Sequence, residues 1–252
     1  ATGAVNVGSS AFPGGVTPVL NVSGDFVFGN TVLGTEGGSL NLFEGTANIA
    51  GNLLRSDSSV TQADVNVDGG SLVVSGDITV DNFRVSNFAN SSGSFTLGAA
   101  KNLTTFTDLN VGAFGQGTFA NSGGTLVVEN QLIVGDFDDA TLGSGDGSTF
   151  TLNSGTTTVA NGVRLGNNDA DNTTFNLVGG TVRVNGGGFL VSTSTGAAGS
   201  QLTVGGSGQD PVLHVAGGNL EVANNAGGTV QVEDGTVFIN SNNIVVGQGA
   251  GS

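Results

Sequence analysis

The chain has 252 residues, 46 of them Gly, and sets 20 acidic residues against 5 Lys and Arg for a net charge of −15. Cys, Met, Trp and Tyr are absent, which excludes disulfides, thiolate metal sites and the Trp or Tyr platforms on which sugars and bases stack. The acidic balance opposes binding to nucleic acid or anionic lipid, and no run of about 18 apolar residues offers a transmembrane helix.

Hydrophobic residues still make up 37% of the chain, enough material to bury, so the composition is not that of a disordered protein. Residues 20–30 read LNVSGDFVFGN and residues 72–82 read LVVSGDITVDN, with looser versions at TLVVENQLIVGD, TVRVNGGGFLVS and TVFINSNNIVVG. Self-similarity of this kind marks a repeat architecture.

The stretch from Phe175 is the clearest copy. FNLVGGTVRVNGGGFLV places apolar pairs at Phe175 and Leu177, Val182 and Val184, and Phe189 and Val191. Each pair has the period of two that puts both side chains on one face of a strand. Only tight corners fit between them, and Gly179, Gly180 and Gly186, Gly187 and Gly188 suit the positive φ that such corners need. The same template predicts first strands near Val5, Leu40, Val65, Phe95, Phe119, Phe150, Phe175, Leu202 and Val230. The expected fold is all-β, a single parallel β-helix domain over 1–252 with three strands per coil and about nine coils, and no separate cap or membrane barrel. Right-handed coiling is the expectation for parallel crossover connections. A hairpin meander also has short alternating strands, but it gives no reason for a three-strand phrase at near-constant spacing. Phe95, Phe119, Phe150 and Phe175 fill one slot in consecutive copies and should stack as a core column. The variable connection is the one after the third strand.

GGSLVVSGDITV, GGTLVVENQLIVG, GGTVRVNGGGFLV and DGTVFINSNNIVVG resemble the autotransporter-associated β-strand repeats of bacterial passenger domains and related surface proteins. The resemblance implies a parallel β-helix on or outside a bacterial cell and carries no catalytic residues. Ala1 suits a mature start after signal cleavage, and a membrane barrel's aromatic girdles are not available without Tyr and Trp.

Catalytic chemistry finds little support. Arg55, Arg84, Lys101, Arg164 and Arg183 fall in different corners and strands of the template, as solvated charges. His214 lies between inward Leu213 and Val215 and should point outward, with no strained serine nearby in sequence to act as a nucleophile. Asp136, Asp138 and Asp139 in one corner and Asp169 and Asp171 in the next would become neighbours on stacking and would give Ca²⁺ its oxygen ligands. A solvated acidic edge is the competing reading. Asn21, Asn90, Asn102 and Asn172 each begin an N-x-S/T sequence.

The ends of the pattern carry the functional expectation. Val5 and Val7 open the pattern almost at once, and Ile244 and Val246 close it six residues before Ser252. A second copy placed head to tail would set 11 positions between Val246 and Val5, the spacing found internally between Val191 and Leu202. Val5, Val7, Leu20, Val22, Val237, Ile239, Ile244 and Val246 are thus expected at a junction between copies, in a secreted filament or surface layer that has no enzymatic activity. Nine coils at about 4.8 Å give an axial repeat of roughly 43 Å. The same open ends would arise in a piece of a longer passenger, and the alternative function is an adhesin stalk contacting a host surface or polysaccharide.

Overall fold

A computed structural model of the chain describes residues 3–8, 17–29, 37–56, 62–136, 138–139, 143–167, 172–192, 199–223, 227–240 and 242–247. These residues form strands and turns and no helix, hence no helix long and apolar enough to cross a membrane. In chain order the strands begin with β1 (Gly3–Val7), β2 (Val19–Val22), β3 (Phe26–Phe28), β4 (Gly38–Leu42), β5 (Thr46–Ile49), β6 (Leu53–Arg55), β7 (Ala63–Val67), β8 (Ser71–Val74) and β9 (Ile78–Val80). They continue with β10 (Asn82–Val85), β11 (Ser92–Leu97), β12 (Asn102–Thr105), β13 (Leu109–Val111), β14 (Gln116–Val128), β15 (Leu132–Val134), β16 (Asp138–Asp139), β17 (Gly143–Ser144), β18 (Thr149–Val159) and β19 (Val163–Leu165). The last are β20 (Thr174–Leu177), β21 (Thr181–Val184), β22 (Phe189–Val191), β23 (Ser200–Val204), β24 (Val212–Val215), β25 (Leu220–Val222), β26 (Gly228–Val232), β27 (Thr236–Ile239) and β28 (Ile244–Val246).

Apart from the antiparallel pair β16 and β17, every pairing is parallel and joins strands far apart in sequence. One ladder runs β1-β4-β7-β10-β13-β15-β19-β22-β25-β28, ten strands without interruption. A second runs β2-β5-β8, breaks, and resumes with β11, the first half of β14, the first half of β18, β20, β23 and β26. A third runs β3-β6-β9-β12, the second halves of β14 and β18, β21, β24 and β27. Long parallel ladders with buried alternate residues are the hallmark of a β-solenoid, in which each strand is covered by its counterpart one turn along.

Register makes like sit on like. In the first ladder Leu40 pairs with Val65, Val65 with Phe83, and Phe83 with Leu109, and all four are fully buried. The expected phenylalanine column is present in the second ladder: Phe95 pairs with Phe119, Phe119 with Phe150 and Phe150 with Phe175. Ring centroids are 5.5, 5.2 and 4.6 Å apart, the last two pairs stacked. Phe83 and Phe189, from the first ladder, close on the column at 4.7 Å from Phe95 and 5.2 Å from Phe175. Of the five glycines predicted at corners near Phe175, Gly180, Gly187 and Gly188 have positive φ. A Cβ on Gly187 would lie 2.0 Å from the Asn161 carbonyl oxygen one rung away, so its corner excludes side chains on two counts.

The sequence expectation of nine equivalent first strands needs a correction. Val5, Leu40 and Val65 lie in the first ladder, whereas Phe95, Phe119, Phe150, Phe175, Leu202 and Val230 lie in the second. The step is β10, whose Phe83 pairs with Val65. Its sequence, NFRV, follows β9 after the single residue Asp81 and reads as corner because no glycine marks the bend. The pattern of connections shifts with it. Val67 to Leu72 is a short link from first to second ladder, but from β10 onward that link lengthens, as in Val85 to Phe95 and Val191 to Leu202. The second ladder breaks between β8 and β11, where this change occurs.

Side chains reinforce the corners as rungs. The backbone N–H of Asn52 donates to Asp25 Oδ1 at 2.7 Å, that of Asp77 to Asn52 Oδ1 at 2.8 Å, and that of Asn102 to Asp77 Oδ1 at 3.1 Å. Asp25 and Asp77 are the acidic residues of the twice-repeated phrase. One inward position works the other way: Thr157 sits in the third ladder between Leu126 and Val182, 1% exposed, with no partner for its hydroxyl. Removing an unpaired buried hydroxyl while keeping shape is favourable. Thr157→Val is expected to raise stability by about 1 kcal/mol, read as a shift of the urea midpoint at unchanged slope.

Candidate assembly interface

The last strands of each ladder have one paired edge and one open edge. β1, β2 and β3 pair only with β4, β5 and β6, and β26, β27 and β28 only with β23, β24 and β25. Residues that occupy core columns in the interior emerge there into solvent. Ile244 is 63% exposed and Val246 71%, against 3% and 8% for their partners Leu220 and Val222. At the same end Val232 is exposed, and Val230, Val237 and Ile239 are half-buried. At the front Val5 is exposed and Leu20, Val22 and Phe26 are half-buried, while Val7 and Phe28 are already buried. Both ends therefore present three parallel strand edges around apolar side chains, an arrangement prone to pair with another chain.

A cavity of about 360 Å³ opens where the second ladder is interrupted, lined by Leu72, Val73, Val74, Phe95, Leu97 and Lys101, among others. The Lys101 ammonium closes on the Ser75 carbonyl beside it.

The acidic corner is placed in part. Asp136 is buried and accepts a hydrogen bond from Asn167 Nδ2 at 2.7 Å. Asp138 and Asp139 form β16, paired with Ser144 and Gly143, and Asp169 and Asp171 lie outside the described residues. Among the described residues no group of three or more His, Cys, Asp or Glu is placed to hold a metal ion.

The expectation that the basic residues are scattered and solvated fails at two of them. Arg55 Nη1 donates to Asp81 Oδ1 at 2.5 Å, its side chain 13% exposed, and its guanidinium lies 4.9 Å over the Phe106 ring. Arg84 Nη1 donates to Asp64 Oδ2 at 3.3 Å, and Asp64 also accepts from Asn82 and Gln62. Because β10 is a strand, Arg84 is delivered beside β7 and the two ion pairs form one buried polar cluster. Burial raises the Asp81 carboxyl above its ordinary range against the opposing pull of Arg55. Arg183 and His214 meet across β21 and β24, with Arg183 Nη1 donating to His214 Nδ1 at 2.9 Å, and the imidazole stands edge-on to Phe238.

No family model, curated protein or solved structure was found to match the chain. The assignment of function therefore rests on its own geometry.

Asp68, which follows β7, is 2% exposed, and burial pushes its carboxyl up to about 6 although Oδ1 accepts from the Asn87 and Phe88 amides. Its Oδ2 has no hydrogen-bond partner among the described residues. A carboxyl whose pKa is raised on folding binds a proton in the folded state at pH values where the unfolded chain has lost it, so stability falls as pH rises from about 4 to about 6. The full shift corresponds to about 3 kcal/mol. Asp68→Asn is expected to flatten the decline between pH 4 and 6.5 in urea denaturation. Parallel pH profiles for the two proteins would contradict the assignment.

Proposed function

We propose that the strands wind as a right-handed parallel β-helix of three strands per coil and about nine coils. The chain is, on this reading, a structural subunit of an extracellular bacterial filament or surface layer, without enzymatic activity, assembling head to tail. The observation that carries the reading is the pair of open ends, where three strand edges and the continuing apolar columns are left uncovered among the described residues. Stacking a second copy on such an end adds ladder hydrogen bonds and buries apolar surface at about 25 cal/mol per Å². A contact between unlike ends of identical chains propagates into an open filament when it does not close. The net charge of −15 keeps the sides of neighbouring filaments apart. The resemblance to passenger-domain repeats supports a location outside a bacterial cell. Electron microscopy and sedimentation of the purified chain over a range of concentration test the proposal: filaments are expected, and a single-copy species at high concentration contradicts it.

A second reading, a binding stalk, draws on the cavity between β8 and β11. Saturable adhesion of single copies to a polysaccharide, lost on filling that cavity with Val73→Phe, would favour it.

A further inference from the structure

The register of the junction follows from a count that the three ladders do not share. This inference rests on the head-to-tail reading and the three-strand coil given above. The first ladder has ten strands and begins and ends the series, with β1 and β28, whereas β26 and β27 precede β28 in the last turn. In a single-start coil each strand lies one third of a rung further along the axis than the one before. If a second copy stood on the first without turning, β1 would sit one rung above β28. The second and third ladders would then each lack a strand, with β26 and β2, and β27 and β3, about 9.6 Å apart instead of about 4.8 Å. Four strand edges would be buried unpaired, which is costly wherever water is excluded.

We infer that each copy is turned by one face of the coil, about 120° before any added twist, so that β1 pairs with β26, β2 with β27 and β3 with β28 of the preceding copy. Every open edge then meets a partner at one rung spacing. Apolar columns continue as Val5 on Val230, Leu20 on Val237, Val22 on Ile239 and Phe26 on Ile244. Each copy advances the filament by nine and a third coils, roughly 45 Å.

Two features of the connections agree with the turn. After β10 the long connections all leave the first ladder for the second, and the residue at each such exit has positive φ: Ser86, Gly112, Gly135, Gly166, Ser192 and Ala223. Non-glycine residues rarely adopt this conformation, so three of the six exits hold it against preference. Gly247, directly after β28, has the same conformation at φ 68°, aiming the chain toward the second face, where the turned copy presents its β1. Early in the chain, the links from Phe28 to Leu40 and from Arg55 to Val65 leave the third ladder for the first. Turning the copy by one face carries both onto the same edge as the later long connections. The link from Val7 to Leu20 is the one that stays off that edge.

The chain has no cysteine, so engineered pairs report the register directly. Asn6, Asn21 and Gln231 are exposed and point away from the core columns. In the turned register Gln231 lies opposite Asn6 of the next copy, and in the unturned order it faces the strand carrying Asn21. Neighbouring strands at about 4.8 Å are within disulfide range. Asn6→Cys with Gln231→Cys is expected to give a covalent ladder of multimers on a non-reducing gel after mild oxidation, and Asn21→Cys with Gln231→Cys is not. Circular dichroism confirms that each double variant is folded. The opposite result, or filaments in which neither pair links, overturns the turned register while leaving head-to-tail assembly in place. Absence of filaments in the unsubstituted chain overturns the reading beneath it.

Discussion

Ile244→Lys combined with Val246→Lys is expected to abolish filaments and leave the single chain folded. Both side chains are more than half exposed at the open edge of β28, so in one copy the substitutions are surface changes within about 0.5 kcal/mol. At a junction the two ammonium groups would be enclosed between apolar columns, and lysine on a strand edge is a recognised means of stopping edge pairing. Burial of an unpaired charge costs several kcal/mol, enough at two positions to lower the association constant by several orders of magnitude. The melting temperature of dilute single copies, measured beside electron micrographs of concentrated protein, separates loss of assembly from loss of fold. Filaments of undiminished length in the double variant would show that these edges are not the junction.

The largest effect on stability is expected at Phe150. It is fully buried, in register with Phe119 below and Phe175 above, its ring stacked on both. Phe150→Ala opens a cavity in a column that cannot collapse, because the flanking rungs are held by their own ladders. The expected loss is about 3 to 5 kcal/mol, with Phe150→Leu recovering more than half. Repeat proteins couple each unit to its neighbours, so the defect should separate the unfolding of the two flanking segments, visible as a broadened denaturation curve. A loss under about 1 kcal/mol would contradict the column's role in the core.

The fold was legible where the sequence alternates cleanly and glycine marks the bends, as from Phe175 to Val191. The phenylalanine column followed from spacing alone. What alternation did not reveal was phase. ITVDNFRV has apolar residues every second place on both sides of Asp81 and no glycine, so β9 and β10 read as a strand and a loop. That missed strand moved six later strands to another ladder. It also hid the cluster of Asp64, Asp81, Arg55 and Arg84, because Arg84 reaches Asp64 only if residues 82–85 lie on β7. The Asp25, Asn52, Asp77 and Asn102 rungs were visible as letters of the repeated phrase, but their purpose appears only when successive turns are stacked, each side chain serving an amide some 25 residues on. The calcium expectation failed to gather at Asp136, whose carboxylate is engaged by Asn167. The ends were legible as unfinished pattern. Their register was not, since it depends on which ladder β1 and β28 share.

The most direct test of the central claim is fibre diffraction from aligned, concentrated protein. Head-to-tail stacking of solenoid coils predicts a sharp meridional reflection at about 4.8 Å, from strands perpendicular to the filament axis, together with an axial subunit repeat of roughly 45 Å. Protein that remains as single copies, or filaments whose 4.8 Å reflection falls on the equator, would contradict it.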